Sequence, residues 1–366
     1  MFVRKDVLVN ALATVKKSIP AKATLEVLKY VSLWSDGDTL HVRGTDLETF
    51  TDATISCFET NEEDVCVFFP TFSQAVQALD DGEISLRATE SMLVVEQGKT
   101  KLEFPILPGM EFPFVPVMDD RDAIQLETVD VLLAFARVIH AAATDESRPT
   151  LTGVYVSLAN KVLTTTCADG FRMAVSNLSV DTDKTFTSLL PSKSVASVLA
   201  ALPDEGEVEI VSDVSRVRFS LPEKEGVLAT IYCQMIQGSY VNFKQIIPQQ
   251  GQFLLLDKED LAASLKLGRV FAKGNANIIK HVLGDDELAL HAYSPEDGMF
   301  DRLLPASFHG EQVEFGINFS YEVDALSVLS GIVAIESSSP NRPIVMYEEG
   351  KRGEFLCVLM PMHIRK

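Results

Sequence analysis

The 366-residue sequence is short of positive charge: 32 Lys and Arg stand against 52 Asp and Glu, a formal net charge of −20. A chain with that balance does not hold nucleic acid by bulk attraction, because phosphate binders are as a rule basic. A small basic patch on an acidic body stays open. Cysteine is scarce as well. Cys57, Cys66, Cys167, Cys233 and Cys357 are odd in number and widely spaced, which excludes a zinc ribbon and argues against a disulfide framework. They read as small buried core residues. The start, Met1-Phe2-Val3-Arg4-Lys5-Asp6, has no apolar export segment, and no window approaches about 18 uninterrupted apolar residues. The expectation is a cytoplasmic chain with no membrane partner.

Catalytic signatures are missing too. No G-x-S-x-G elbow, P-loop, G-x-G-x-x-G opening a helix, H-E-x-x-H or EF-hand loop occurs. The six histidines stand singly, and a lone His such as His41, His140 or His291 is more often a satisfied or surface residue than a ligand. Acidic clusters at Glu62-Glu63-Asp64, Asp119-Asp120 and Asp285-Asp286-Glu287 read as solvated turn charges, since nothing apolar beside them would shift a pKa. Nothing here asks for an enzyme, a cofactor or a metal.

What is present is a pattern written three times. An amphipathic helix, a polar turn and an alternating strand follow one another from Asp6–Ile19, from Glu127–Ala143 and from Asp257–Lys273. Leu8, Leu12, Val15 and Ile19 recur at helical steps, as do Val131, Phe135, Val138 and Ala142, and Leu261, Leu265, Gly268 and Ala272. Asp6 is placed to cap the first helix. Leu25, Leu151 and Ile278, which follow the three helices, sit 126 and 127 residues apart. Each copy has a second helix, over Pro70–Leu79, Pro191–Leu202 and Asn318–Leu329. Period-2 runs such as TLHVRG, ISLRA, EVEIV and ELALHAY surround these helices and predict strands with one buried face. Short strand spacing favours antiparallel hairpins, so the class is α+β. Proline-rich joints near Pro113–Pro116 and Pro248–Gly251 place domain boundaries at 1–119, 120–248 and 249–366.

Several strings then resemble one family, the bacterial sliding clamp, the β subunit of DNA polymerase III. Thr45-Asp46-Leu47-Glu48 is similar to the family's T-D-L-E, and Leu107-Pro108-Gly109-Met110-Glu111-Phe112-Pro113 to its L-P-x-x-E-F-P. Thr144 to Gly153 (TDESRPTLTG) resembles T-D-E-x-R-P-x-L-x-G, and Ala168 to Ala174 (ADGFRMA) resembles T-D-G-H-R-L-A. Val358-Leu359-Met360-Pro361-Met362 is similar to the near-terminal V-V-M-P-M. Each string is weak alone, but together they run in order through all three repeats.

The resemblance implies three clamp domains per chain, with helices lining the interior of a ring and antiparallel sheets outside. It implies a homodimer closed around duplex DNA, loaded by an ATP-dependent clamp loader. Such a ring tethers the replicative polymerase and other proteins that carry short hydrophobic motifs. A closed ring reconciles an acidic chain with DNA, because threading replaces affinity and few phosphate contacts are needed. By resemblance, one side of the dimer interface carries Lys99, Lys101, Leu102 and Phe104, and the other Val270, Phe271, Glu296, Asp297 and Asp301. The DNA-facing cations would be Arg4, Lys5, Lys16, Lys17 and Lys22 in the first domain. The second adds Arg137, Arg148 and Lys193, and the third Lys266, Arg269 and Lys273. Asp80-Asp81 and Glu322/Asp324 on the second helices have no compensating Lys in the sequence, which implies weak, salt-dependent contact.

The family's partner cleft maps onto Leu151, Gly170, Phe171, Arg172, Met173, Val241, Ile246, Val358, Met360, Pro361 and Met362, with Asn318 and Tyr321 at the rim. Three departures bear on it: Phe171 replaces His, Val241 replaces Pro, and Gln245 takes a position that can be basic. The chain also runs on as Ile364-Arg365-Lys366, so the cleft is expected to be more apolar at its centre and more cationic at its tail. Without the resemblance, Leu102 and Phe104 read as strand core and the single cations as a solvated helix face. The last strand then reads equally as core or as site. A monomeric peptide-binding scaffold and a β-rich hydrolase with a dispersed site remain the alternatives.

Overall fold

The structure is a computed structural model that describes residues 1–58, 64–114, 116–119, 122–249, 251–273, 277–284 and 286–363, the His309 side chain excepted. Glu62, Glu63, Asp120, Asp285 and the tail Ile364-Arg365-Lys366, named above, lie outside the described residues. Two compact units form, Met1–Leu132 with Asp181–Gln237, and Leu133–Val180 with Gly238–Lys366. Among the described residues there are six α-helices: α1 (Lys5–Val15), α2 (Phe69–Gln77), α3 (Thr128–Ala136), α4 (Ser192–Ala201), α5 (Lys258–Ala272) and α6 (Phe319–Ser327).

Five of the six expected helices fall within a few residues of the periodicity reading; α3 is much shorter than Glu127–Ala143. The chain there passes into a separate 3-10 turn at Ile139–Ala141. The α1 start is also a correction. Asp6 does not cap it, because its carboxylate is taken by the Arg4 guanidinium; the Asp257 side chain does cap α5, accepting from the Glu259 and Asp260 amides. Asn318 caps α6 through the Ser320 amide at 3.0 Å.

In the first unit one antiparallel sheet runs from the edge strand Phe2–Arg4 through Thr100–Pro108 and Tyr30–Asp36 to Ile124–Glu127. α1 buries Leu8, Ala11, Leu12 and Val15, and α2 buries Phe69, Phe72 and Val76, against the inner face of that sheet, including Val31, Leu33, Leu40 and Ile55. Phe72 is wholly buried and meets Phe104 edge to face at 5.4 Å, burial worth about 2–3 kcal/mol for such a side chain. Strand Thr49–Ser56 of the first repeat pairs with Leu228–Gln234 of the second, so the sheet continues across the repeat boundary.

The second unit repeats that device: Arg172–Ser179 pairs with Phe355–Leu359. The turns entering the two seam strands are also alike. Asp46 Oδ1 accepts from the Glu48 and Thr49 amides at 3.1 and 2.7 Å, and Asp169 Oδ1 from the Phe171 and Arg172 amides at 2.8 and 2.9 Å. Leu47 (φ +76°) and Gly170 (φ +94°) hold the positive-φ position of each turn. A four-stranded sheet, ordered Gly298–Pro305, Glu287–Ser294, Ile278–Gly284, Val313–Asn318, supports α5 and α6.

Two buried ionic groups fasten this unit. His281 and Glu322 are both fully buried, with Nε2 3.0 Å from Oε1. A carbonyl only accepts, so His281 Nδ1 donates to Ile279 O at 3.1 Å, and a proton between Nε2 and Oε1 completes the pair beneath α6. Glu336 accepts from Arg352 Nε (2.8 Å), Tyr347 Oη (3.1 Å) and the Gly251 amide (2.9 Å), while Arg352 Nη2 donates to the Pro248 carbonyl at 3.0 Å. Burial and the neighbouring Glu336 push the Tyr347 hydroxyl up to about 12. All five cysteines are free and buried, and burial pushes the Cys66 and Cys233 thiols up to about 12, so these sulfurs are inert core atoms.

Candidate functional site

In the second unit a cavity of about 300 Å³ opens between the Ala142–Arg148 loop, the Asp169–Arg172 turn and α6. Leu151, Phe171, Arg172 and Tyr321, expected in the cleft, line it. Arg172 is the fixed point of the wall. Its Nε donates to Asp169 Oδ2 at 3.0 Å, its Nη1 to the Asp324 carboxylate, and its guanidinium lies 4.7 Å over the Tyr321 ring. Its charge is therefore already matched within the chain. Behind the wall, Leu151, Met173 and Val358 join Phe243, Val345 and Leu356 in a buried apolar cluster, with Tyr240 stacked on Tyr155 at 5.3 Å. Phe171 is half-exposed, so the substitution for His presents an open aromatic face.

The terminal segment is drawn across the same region. The Met360 amide donates to the Phe171 carbonyl at 2.8 Å and the Met362 amide to Gly316 O at 2.8 Å. Met360, Val241 and Ile246 are partly exposed, but they, Pro361 and Met362 are outside the cavity lining. Asn318 is spent as the α6 cap. The sequence reading missed Asp169, Asp324 and the loop Ala142, Ala143, Thr144, Asp145 and Ser147. Asp169 was legible three residues before Arg172, whereas Asp324 is 152 residues away and carried no signal.

Gly170 combines positive φ with a close neighbour: a Cβ there would come within 3.1 Å of Arg148 Nη1. Gly170→Ala is expected to cost about 1–2 kcal/mol of stability and to displace Arg148. A urea midpoint equal to wild type would contradict this. His140, on the turn after α3, packs its Nε2 3.9 Å from the buried Cys357 sulfur. Burial first, then the Arg172 cation, pushes the imidazole down to about 4. It folds neutral, so its contribution is complete above the ordinary pKa of about 6.5 and is lost as pH falls toward 4. Between pH 7 and 4.5, wild type should lose about 2 kcal/mol more than His140→Gln in urea unfolding. Parallel losses would contradict the assignment.

The expected cations fall into different surroundings. Lys16, Lys17, Lys22, Lys193 and Lys273 are exposed. Arg4 pairs with Asp6, and Lys5 with Asp81 at 3.2 Å, so the aspartate read as uncompensated has a partner. Glu322 and Asp324 were read likewise, yet Glu322 is buried against His281 and Asp324 is held by Arg172. Arg137 lies 5.5 Å over the Phe355 ring, and Arg148 lines the cavity. Lys266 and Arg269 border a separate groove of about 520 Å³ between α5 and α6, with Lys258, Val323 and Asp324.

Among the strand edges of the described residues, two carry the residues expected at the dimer interface. Strand Thr100–Pro108 pairs on one side with Met92–Gln97, but on the other only Ile106, Leu107 and Pro108 meet Asp64–Phe68, so among the described residues 100–104 face no strand there. Strand Gly298–Pro305 ends its sheet. Lys99 and Lys101 are exposed on the first, with Lys101 2.7 Å from Glu103. Leu102 is partly buried, and Phe104 is inside the core against Phe72, so its side chain is not available to a partner. Near the second edge Val270 is exposed, Phe271 stacks on Phe300 at 6.2 Å, Asp301 pairs with His291, Asp297 accepts from Ser294 and Glu296 is exposed. Exposed Met299 and Leu303, absent from the sequence reading, supply the apolar surface of that edge.

Among the described residues no cluster could hold a metal, and no helix is long and apolar enough to cross a membrane. Family models for the DNA polymerase III beta subunit match in succession: the N-terminal domain over residues 1–116, the central domain over 125–242 and the C-terminal domain over 244–363. The chain is 24% identical over 361 residues to the beta sliding clamp of Bacillus subtilis, covering 94% of each, and 22% identical over 377 residues to that of Pseudomonas putida, covering 99% of each. Its fold superposes on a Pseudomonas aeruginosa DnaN sliding clamp with TM-score 0.92 at 22% identity, covering 100% of this chain and 99% of the other. A Bacillus subtilis DNA polymerase sliding clamp gives 0.91 at 20%, with the same coverage. Three clamp domains with continuous antiparallel sheets define a DNA sliding clamp. The chain belongs to the DNA polymerase III beta subunit family.

Proposed function

We propose that two copies of this chain close into a ring around duplex DNA and act as a non-catalytic processivity factor in the cytoplasm, with domains at 1–119, 120–248 and 249–366. The observation that carries this reading is the pair of open edges, basic at Lys99 and Lys101 in the first repeat and acidic at Glu296, Asp297 and Asp301 in the third. An open edge is an invitation to pair, and opposite charge sets which edge meets which. In this reading the exposed lysines face the duplex, and the cavity takes extended apolar segments of the polymerase, the loader and other replication proteins. The partly exposed Phe171 and Met360 suit such a surface, since methionine re-packs around different ligands.

Sedimentation at micromolar protein should give twice the 40.2 kDa of one chain, and loader-dependent retention on nicked circular DNA should vanish on linearisation. A species of one-chain mass would overturn the ring. For the cavity, removing residues 360–366 takes away the Met360 and Met362 tethers. Binding of a fluorescein-labelled extended peptide, with leucine at alternate positions and a terminal phenylalanine, should then be lost while the dimer persists. Unchanged affinity would remove the site.

A further inference from the structure

The cavity and the α5–α6 groove share a wall. Tyr321, one turn before Asp324 on α6, lines the cavity beneath Arg172, while Asp324 lines the groove opposite Lys266 and Arg269. Asp324 is thus the one carboxylate on α6 that touches both: it holds Arg172 Nη1 and borders the cations of the groove. Its side chain is 44% exposed, on the groove side, whereas Arg172 is 13% exposed. Lys266 and Arg269 form no ion pair among the described residues, so the groove has cationic charge to offer and the cavity wall has none to spare beyond Arg148.

We propose that Asp324 couples the two places, so that a phosphate backbone in the α5–α6 groove tightens peptide binding in the cavity. Without an anion in the groove, the Asp324 carboxylate is shared between Arg172 and the field of Lys266 and Arg269. Lys258, the third cation of the groove, is already paired with Glu259 at 3.5 Å, so phosphates that neutralise Lys266 and Arg269 leave Arg172 as the main counter-cation of Asp324. The Arg172–Asp324 pair, already formed in the chain alone, is then relieved of that competing field and holds α6 and the Tyr321 ring more firmly against the Asp169–Arg172 turn. A wall ordered in advance leaves less disorder for the peptide to remove, which is positive coupling without a new contact. Linkage requires the converse: peptide strengthens duplex binding by the same factor.

This rests on the functional reading above, and the test separates the two. The dissociation constant of the fluorescein-labelled leucine peptide would be measured by anisotropy at fixed salt, with and without a saturating duplex of natural sequence. Wild type should bind about fivefold tighter with duplex, the lower end of ordinary coupling. Asp324→Asn should bind both ligands yet show a ratio near one. Lys266→Gln with Arg269→Gln removes the competing field by itself, so it should bind peptide without duplex about as tightly as wild type does with duplex, again with a ratio near one. A wild-type ratio of one with both ligands bound would overturn the coupling and leave the clamp reading intact. Coupling retained in Asp324→Asn would overturn the residue assignment. Failure of wild type to bind either ligand would overturn both.

Discussion

Met299→Arg together with Leu303→Arg is expected to turn the dimer into folded monomers. Both side chains project from the terminal strand Gly298–Pro305 and are 68% and 62% exposed, so the substitutions cost the isolated chain little. In the proposed ring they meet the edge bearing Lys99 and Lys101. Arginine there removes apolar contact and sets like charges opposite one another. Two lost anchors of about 2 kcal/mol each would weaken the dimer on the order of a thousandfold, read as a shift to one-chain mass in sedimentation velocity. Far-ultraviolet dichroism should be unchanged. Phe104→Arg is the instructive contrast. Because Phe104 belongs to the core around Phe72, it should unfold the first unit, so loss of dimer in that variant would say nothing about the edge. A dimer that survives the double substitution would place the contact elsewhere.

Glu336→Ala should cause a large loss of stability in the second unit. The carboxylate is 2% exposed and is the common acceptor for Arg352, Tyr347 and the Gly251 amide. Removing it strands a mostly buried guanidinium and two donors, a change that ordinarily costs about 3–5 kcal/mol. Since Arg352 also holds the Pro248 carbonyl, that contact should loosen at the same time, and the Gly251 amide should exchange faster. Arg352→Met with Glu336→Met removes both charges together and should recover much of the loss. A urea midpoint for Glu336→Ala within error of wild type would refute the account.

The helices and strands were legible because burial imposes periodicity on the residues that carry it. Leu8, Leu12 and Val15, or Leu261 and Leu265, can meet a sheet only from one helical face, and the spacing shows it. Local turn chemistry was legible for the same reason: the Asp in Thr45-Asp46-Leu47-Glu48 and in Asp169-Gly170-Phe171-Arg172 binds amides two and three residues on, so each motif contains its own partners. Asp6 shows the limit even at short range, since two acceptable partners compete for it and Arg4 prevails over the helix amides.

Pairings between distant segments left no such trace. That Arg172 would find Asp324, that Lys5 would answer Asp81, or that Glu322 would be buried on His281 depends on which strands become neighbours, and composition counts those groups as loose charges. The same holds for the sheet edges. Phe104 and Leu303 have similar apolar character in sequence, yet one faces α2 and the other lies on an edge strand facing solvent. Chain order alone thus determined three repeats, their helices and strands, and the family. Which charges are matched, which aromatic side chains are covered and which edge stays open were decided by the tertiary fold, because Coulomb and packing energies depend on distance in space and sequence records distance only along the chain.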